Sequence, residues 1–309
     1  MQHDERSSEG EQANAPGLTI EAMPDLRQPI MLCSFAGWND AGETATGAVA
    51  HLARVLDARR FARIEPEEYY VFTDVRPTIA LIDGEQRRLD WPANEFLYAY
   101  GTGSRPDLVL LKGIEPHLAW HAYTGAVLRV ARLVRARVVI LLGALLADVP
   151  YTRPVRFTGM ATHPRLLPRW EELGARRSRY EGPTGIVGVL SDTLRRAGMP
   201  LASLWANVPH YINASPNPRT LAALVRQLDT LLDLGLDLSE LEARGEQFDR
   251  QVDEAIAQNP EVRAYVRQLE QAGDEEPEPP GDLPTPEAIL AELEEFLRER
   301  RQDEDDDDD

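Results

Sequence analysis

The chain has 309 residues, 43% of them apolar and 28% charged, an ordinary globular balance with enough length for one large core or two smaller ones. Its longest apolar runs, such as Val138 to Leu142, fall far short of the ~18 residues of a bilayer-spanning helix, and the polar, acidic start lacks the apolar stretch of a secretory signal. The net charge of −19 sits at the ends, with −3 over residues 1–17, −14 over residues 271–309 and only −2 over residues 18–270. The body therefore lacks the basic field of a nucleic-acid binder. Neither nucleic acid nor membrane is expected as a partner, and the expected location is cytoplasmic. Cys33 is the one cysteine, which excludes an intramolecular disulfide and argues against a cysteine metal cluster.

Residues 1–17 read as a disordered tail. Pro29 to Phe35 has the length and flanks of a buried strand. Gly37-Trp-Asn-Asp-Ala-Gly42 follows as a turn, and Ala45, Ala48, Val49, Leu52, Val55 and Leu56 then form one face of a helix. Tyr69 to Thr73 is expected as a strand. Thr78 to Ile82 and Gln86 to Trp91 flank Asp83-Gly84, a hairpin signal. Phe96 to Tyr100 and Asp107 to Lys112 read as further strands, His117 to Val134 as a helix, and Arg137 to Leu142 as a buried strand. Strand–helix–strand of this kind requires a parallel crossover. Val155 to Ala161 reads as a strand leading to a small helix after His163, Gly185 to Arg196 as a helix, and Leu201 to Val208 as a strand. Near-continuous apolar strands alternating with helices predict a mixed α/β sheet covered on both faces.

After Pro216 three amphipathic helices are expected, carried by Leu221 to Leu232, by Leu241 to Ile256 and by Val262 to Leu269. The predicted organisation is an α/β domain over 18–215, then a helical extension over 216–272 packed on that domain or on a partner subunit. Beyond it come an acidic, Pro-rich linker over 273–284, an amphipathic helix over 285–301 and an acidic tail over 302–309. In the 285–301 helix Thr285-Pro286-Glu287 supplies cap, first-turn proline and favourable acid. Its stripe of Ile289, Leu290, Leu293, Phe296 and Leu297 has the form of a helix-in-groove ligand, or of a helix docked on its own domain.

Several stretches, taken in order, resemble one family: Phe35-Ala-Gly-Trp-Asn-Asp-Ala-Gly42, Trp91-Pro-Ala-Asn-Glu-Phe96, Gly113-Ile-Glu-Pro-His117, Gly143-Ala-Leu-Leu-Ala-Asp-Val-Pro150 with Thr152-Arg-Pro154, Tyr180-Glu-Gly-Pro-Thr-Gly-Ile186, and Ala206-Asn-Val-Pro-His-Tyr211. Together they look like the proteasome assembly chaperone 2 family, in its actinobacterial form, over roughly residues 28–270. The resemblance implies a three-layer α/β/α sandwich similar to nucleoside phosphorylases and hydrolases. It also implies homo-oligomerisation, with a trimer among the allowed forms, and protein–protein assembly rather than catalysis, with 20S proteasome subunits as partners. Some members dock through a C-terminal hydrophobic–tyrosine–any-residue tail; this sequence ends in five aspartates and lacks it.

The predicted parallel strands deliver a set of polar residues to their carboxyl ends, where open α/β sheets bind ligands. They are Gly37, Trp38, Asn39 and Asp40 after the first long strand, Glu115 and His117 after the next, and Asp148 after a third. Glu181 and Thr184 precede a helix, and His210 and Tyr211 follow the last strand. One reading makes this a ligand or interface cleft, with a cleft enzyme or ligand sensor of nucleoside phosphorylase/hydrolase-like type, using the carboxylates and histidines of general acid–base chemistry, as the alternative function. The other makes the acids helix caps, Glu115 with Pro116 capping the helix from His117. Convergence of Asp40, Glu115, Asp148 and Glu181 in one open pocket would favour the enzyme, whereas separate capping would favour the scaffold. His117 and His121 lie four apart but lack the glutamate of a HExxH site, so no metal is expected. No P-loop, Gly-x-Ser-x-Gly or dinucleotide fingerprint is present, so no cofactor is expected and no catalytic residue is assigned.

Overall fold

The computed structural model describes residues 17–82, 86–162, 166–173, 175, 180–212 and 214–272. The expected N-terminal tail, the Asp83-Gly84 turn, the acidic linker, the 285–301 helix and the aspartate tail fall outside the described residues, apart from Gly17. The strands are β1 (Leu18–Ile20), β2 (Ile30–Ala36), β3 (Arg59–Ile64), β4 (Thr78–Ile82), β5 (Gln86–Asp90), β6 (Asn94–Ala99), β7 (Leu108–Ile114), β8 (Val138–Ala147), β9 (Phe157–Ala161) and β10 (Leu201–Pro209). The helices are α1 (Thr44–Val55), α2 (Trp120–Leu133), α3 (Leu167–Glu172), α4 (Ile186–Arg196), α5 (Pro218–Leu232), α6 (Ser239–Ala257) and α7 (Pro260–Ala272).

Eight strands form one mixed sheet in the order β1-β3-β6-β7-β2-β8-β10-β9. Its centre, β7-β2-β8-β10, is parallel, and antiparallel strands flank it on both sides. The period-2 alternation of β2 separates the two faces: Ile30 and Leu32 join one core, while Met31, Cys33 and Phe35 join the other. The first core takes Ala45, Val49 and Leu52 of α1 with Leu224, Val225 and Leu228 of α5. The second takes Tyr123, Val127 and Val130 of α2 with Ile186, Leu190 and Leu194 of α4. The fold is thus a three-layer α/β/α arrangement, with helix α5 built into one layer. Each fully buried Leu or Ile, such as Leu32, Leu110 or Ile140, contributes about 1.5–3 kcal/mol. Helices α6 and α7 add a small cluster in which Val252 and Val266 pack with Tyr151.

Two expectations are corrected, and one strand was not foreseen. Tyr69 to Thr73 is not a strand: Tyr69 N–H donates to Pro66 O in a turn, and both Tyr69 and Tyr70 bury their rings in the core. Helix α2 starts at Trp120 rather than His117, because Ala119 is left-handed (φ 53°) and the His117 and Leu118 N–H groups both donate to Tyr69 O. Strand β3 has no apolar signal at its exposed start, Arg59-Arg60, and was not expected. The β4–β5 pair forms a separate two-stranded sheet, in register Ile79↔Leu89 and Leu81↔Arg87.

Candidate functional site

Strands β2, β7, β8 and β10 run parallel, so the predicted residues that follow or end β2, β7, β8 and β10 all lie at the carboxyl ends of the parallel strands. There they divide into two clusters with different chemistry.

The first cluster gathers around Glu115. Its Oε1 accepts from Asn39 Nδ2 at 2.8 Å and from the Ile186 N–H of α4 at 2.8 Å, and its Oε2 accepts from the Trp38 N–H at 3.3 Å. Glu115 therefore caps α4, not the helix that follows it in sequence, as expected above. Gly185 makes this contact possible: a Cβ there would lie 2.3 Å from the Asn39 side chain and 2.5 Å from Glu115 Oε1. Asp40 is 7% exposed and caps the other layer. Its Oδ1 accepts from the N–H groups of Ala45 at 2.6 Å and Thr46 at 3.3 Å, and Thr46 Oγ1 donates to Oδ2. Burial raises the Asp40 carboxyl pKa above its ordinary value, against the lowering effect of those hydrogen bonds. Asn39 O accepts from Ala144 N–H at 2.9 Å and ties the turn to β8.

A buried network fixes the end of β7 beneath Glu115. Asn94, fully buried, accepts at Oδ1 from Ile114 N–H at 2.9 Å and from the Tyr123 hydroxyl at 2.8 Å. Its Nδ2 donates to Tyr70 Oη at 2.8 Å, and that hydroxyl donates to Ile114 O at 2.6 Å. Burial pushes both tyrosine hydroxyls well above their usual pKa range. Asn94 lies in the Trp91–Phe96 stretch of the resemblance, but its role was not read from sequence. An asparagine in an otherwise alternating strand was the available signal.

The second cluster joins the ends of β8 and β10 to α7. His210 Nε2 lies 2.9 Å from Asp148 Oδ1 and 3.1 Å from Tyr265 Oη, and the Tyr265 hydroxyl donates to Asp148 Oδ1 at 2.8 Å. The Tyr265 pKa is pushed up to about 12, by burial first and then by its bond to Asp148 and that charge. The Tyr211 ring stands edge-on to His210 and Tyr265, with centroids 5.6 and 5.7 Å away, and its hydroxyl donates to Val149 O at 3.0 Å. Tyr265 was not expected here, since in sequence it is only one more apolar position of a helical stripe. Thr152 Oγ1 donates to Glu270 at 2.5 Å and Arg153 to Glu270 O at 2.7 Å, fixing the far end of α7.

The remaining predicted residues stand apart from both clusters. His117 is exposed and turns away, accepting from Val71 N–H at 3.0 Å. Glu181 and Thr184 are exposed on the loop before α4. A pocket under α5 and α6, lined by Tyr151, Arg153, Asn207, Arg219, Phe248 and Asp249 among others, contains none of Asp40, Glu115, Asp148 and Glu181. Among the described residues, no three His, Cys, Asp or Glu side chains group as metal ligands, and no helix is long and apolar enough to cross a membrane. Cys33 is buried mid-strand, and desolvation pushes its thiol pKa far up, away from reactive thiolate.

The strand-end turn, the Asn94 strand and the α4 cap all fall where the PAC2 family profile matches, over residues 34–256. A PAC2 family protein of Streptomyces avermitilis superposes with a TM-score of 0.70 at 40% identity, covering 77% of this chain and 99% of that one. The proteasome-assembly chaperone homologue of Mycobacterium tuberculosis gives a TM-score of 0.69 at 40% identity, covering 77% of this chain and 99% of that one. An archaeal proteasome activator of Pyrococcus furiosus shares the fold at 18% identity and a TM-score of 0.61, covering 77% and 97% of the two chains. No curated protein matches. With the profile spanning most of its length, the chain belongs to the PAC2 family.

Proposed function

We propose that this protein is a homo-oligomeric, cytoplasmic assembly factor that acts through protein–protein contacts rather than catalysis, with components of the 20S proteasome as its partners. Its membership of the PAC2 family, and its likeness to the proteasome-assembly chaperone homologue of Mycobacterium tuberculosis, support a chaperone-like role. The observation that carries the reading is how the strand-end carboxylates are engaged. Asp40 and Glu115 accept backbone N–H groups at the starts of α1 and α4, which is scaffolding chemistry. The same edge exposes Trp38 (64%), Leu118 (51%) and Leu146 (60%), side chains suited to a protein surface.

The test is co-purification of the full chain, and of a version cut at Gly273, with the 20S α-subunits of the same organism. The expected result is recovery of α-subunits by the full chain and their loss on truncation, which assigns docking to the stripe of Ile289, Leu290, Leu293, Phe296 and Leu297. Failure of the full chain to bind α-subunits overturns the proteasome assignment.

A further inference from the structure

The β4–β5 hairpin stands away from the main sheet, and its apolar side chains face water: Ile79 is 62% exposed, Leu81 64% and Leu89 49%. Ile79 pairs with Leu89 and Leu81 lies two residues on, so all three share one face of the ribbon. A two-stranded ribbon is marginal in water by itself, and β4 (Thr-Ile-Ala-Leu-Ile) carries no charge to guard its edge. The hairpin springs from the strand-end edge: Trp91 at its base stands edge-on to Phe72, ring centroids 5.1 Å apart, and neighbouring Val71 N–H donates to His117. The high exposure shows that the ribbon does not fold back onto its own edge.

That edge carries the complementary surface. Trp38, Leu118 and Leu146 follow or end β2, β7 and β8, three adjacent parallel strands. The segments that form the rim, 37–43, 115–118, 144–149 and 180–185, contain five acids (Asp40, Glu43, Glu115, Asp148 and Glu181) and no Lys or Arg. Across 76–82 and 86–90 the hairpin carries Arg76, Arg87 and Arg88 against one acid, Asp90. One molecule thus presents an apolar ribbon with a positive surround and an apolar rim with a negative one.

We propose that the hairpin of one protomer docks on the strand-end rim of a second copy, a head-to-tail contact between two different surfaces. This rests on the self-association reading above and names its interface. The ribbon's apolar face covers Trp38 and Leu146, and Arg87, opposite Leu81 on that same face, meets the exposed Glu43 and Glu181, while Arg88 on the other face is paired with Asp90 at 2.7 Å.

Light scattering on the full chain tests it with two variants, Ile79→Asp/Leu81→Asp on the hairpin and Trp38→Asp/Leu146→Asp on the rim. Each alone should weaken association by about 100-fold or more. Mixing the two should restore a one-to-one heterodimer, because one intact hairpin and one intact rim remain. Ile79→Thr/Leu81→Thr keeps strand propensity while removing the apolar face; it should also dissociate, with an unchanged circular dichroism spectrum. Added salt should weaken the wild-type assembly. A monomeric wild type overturns the self-association reading and this proposal together. An oligomeric wild type whose variants stay assembled overturns this proposal alone. A mixture that stays monomeric also overturns it, because the intact hairpin of one variant would then not bind the intact rim of the other.

Discussion

The two strand-end clusters use the same residue types for different ends. Around β2 and β7, the carboxylates of Asp40 and Glu115 accept backbone N–H groups of α1 and α4, on opposite layers of the sandwich. Around β8 and β10, Asp148 meets, among the described residues, the side chains of His210 and Tyr265, and its own side chain is 43% exposed. A carboxylate bound to a helix start is fixed by the path of two elements at once. One bound to a histidine and a tyrosine is fixed only as far as those side chains are. The first cluster therefore belongs to the stability of the fold and the second to the attachment of α7.

Mutations should separate the two by size. The largest effect is expected at Asn94. Asn94→Leu leaves Ile114 N–H and the Tyr123 hydroxyl buried without an acceptor, and should destabilise the protein by about 3–4 kcal/mol in urea unfolding. Next comes Glu115→Ala, which removes the acceptor of Asn39, Trp38 and Ile186 together, for about 2–3 kcal/mol. Glu115→Gln keeps Oε1 as an acceptor and should recover at least half of that loss. If Glu115→Ala proves as mild as a surface change, the contrast between the clusters fails.

Much of the framework was legible because it follows from periodicity. The apolar runs of β2, β7, β8 and β10 pointed to the parallel centre, and the helical stretches between them to cover on both faces, whereas α5 was read as part of a helical extension. The partners of the polar groups were less legible. Glu115 was read as capping the helix just after it, since local spacing offers only near partners, whereas its actual partner is Ile186, 71 residues away. Topology decides this: β7 and the start of α4 meet only after the chain has passed through α2, β8, β9 and α3. Tyr265 was hidden for a similar reason, because its helical stripe position is set by Val266 and Tyr151 while its hydroxyl reaches β8. Strand β3 was missed because Arg60 and Arg63 meet Glu21 and Glu95, charged cross-strand partners that no apolar alternation announces.

A smaller effect tests Asp40 by pH. Its folded-state pKa is raised by burial, so its ionised form is the less favoured one in the fold. Its contribution to stability is then fully present below the unfolded pKa and is lost as pH rises through the folded value. Asp40→Asn keeps an acceptor oxygen but cannot titrate. The stability of wild type relative to Asp40→Asn should therefore increase as the pH falls from neutrality through the acidic range. Paired urea titrations of the two proteins cancel the other acids and read the difference directly. A difference that falls with falling pH would mean that the hydrogen bonds from Ala45 and Thr46 outweigh burial.

The smallest effect belongs to the second cluster. Tyr265→Phe removes one hydroxyl from an exposed carboxylate, and Asp148 keeps His210 2.9 Å away. Global stability should change by less than about 1 kcal/mol, since exposed charge contacts contribute little. The local effect is larger, because α7 is attached through few groups: Tyr265 at one point, Glu270 with Thr152 and Arg153 at another, and Val266 in a small apolar cluster. Amide exchange in α7 should quicken in Tyr265→Phe while exchange in β2 and β8 stays unchanged, the pattern of a local opening rather than a global one. Equal quickening in α7 and the central strands would tie α7 to the core as tightly as α4, and would erase the difference between the two clusters.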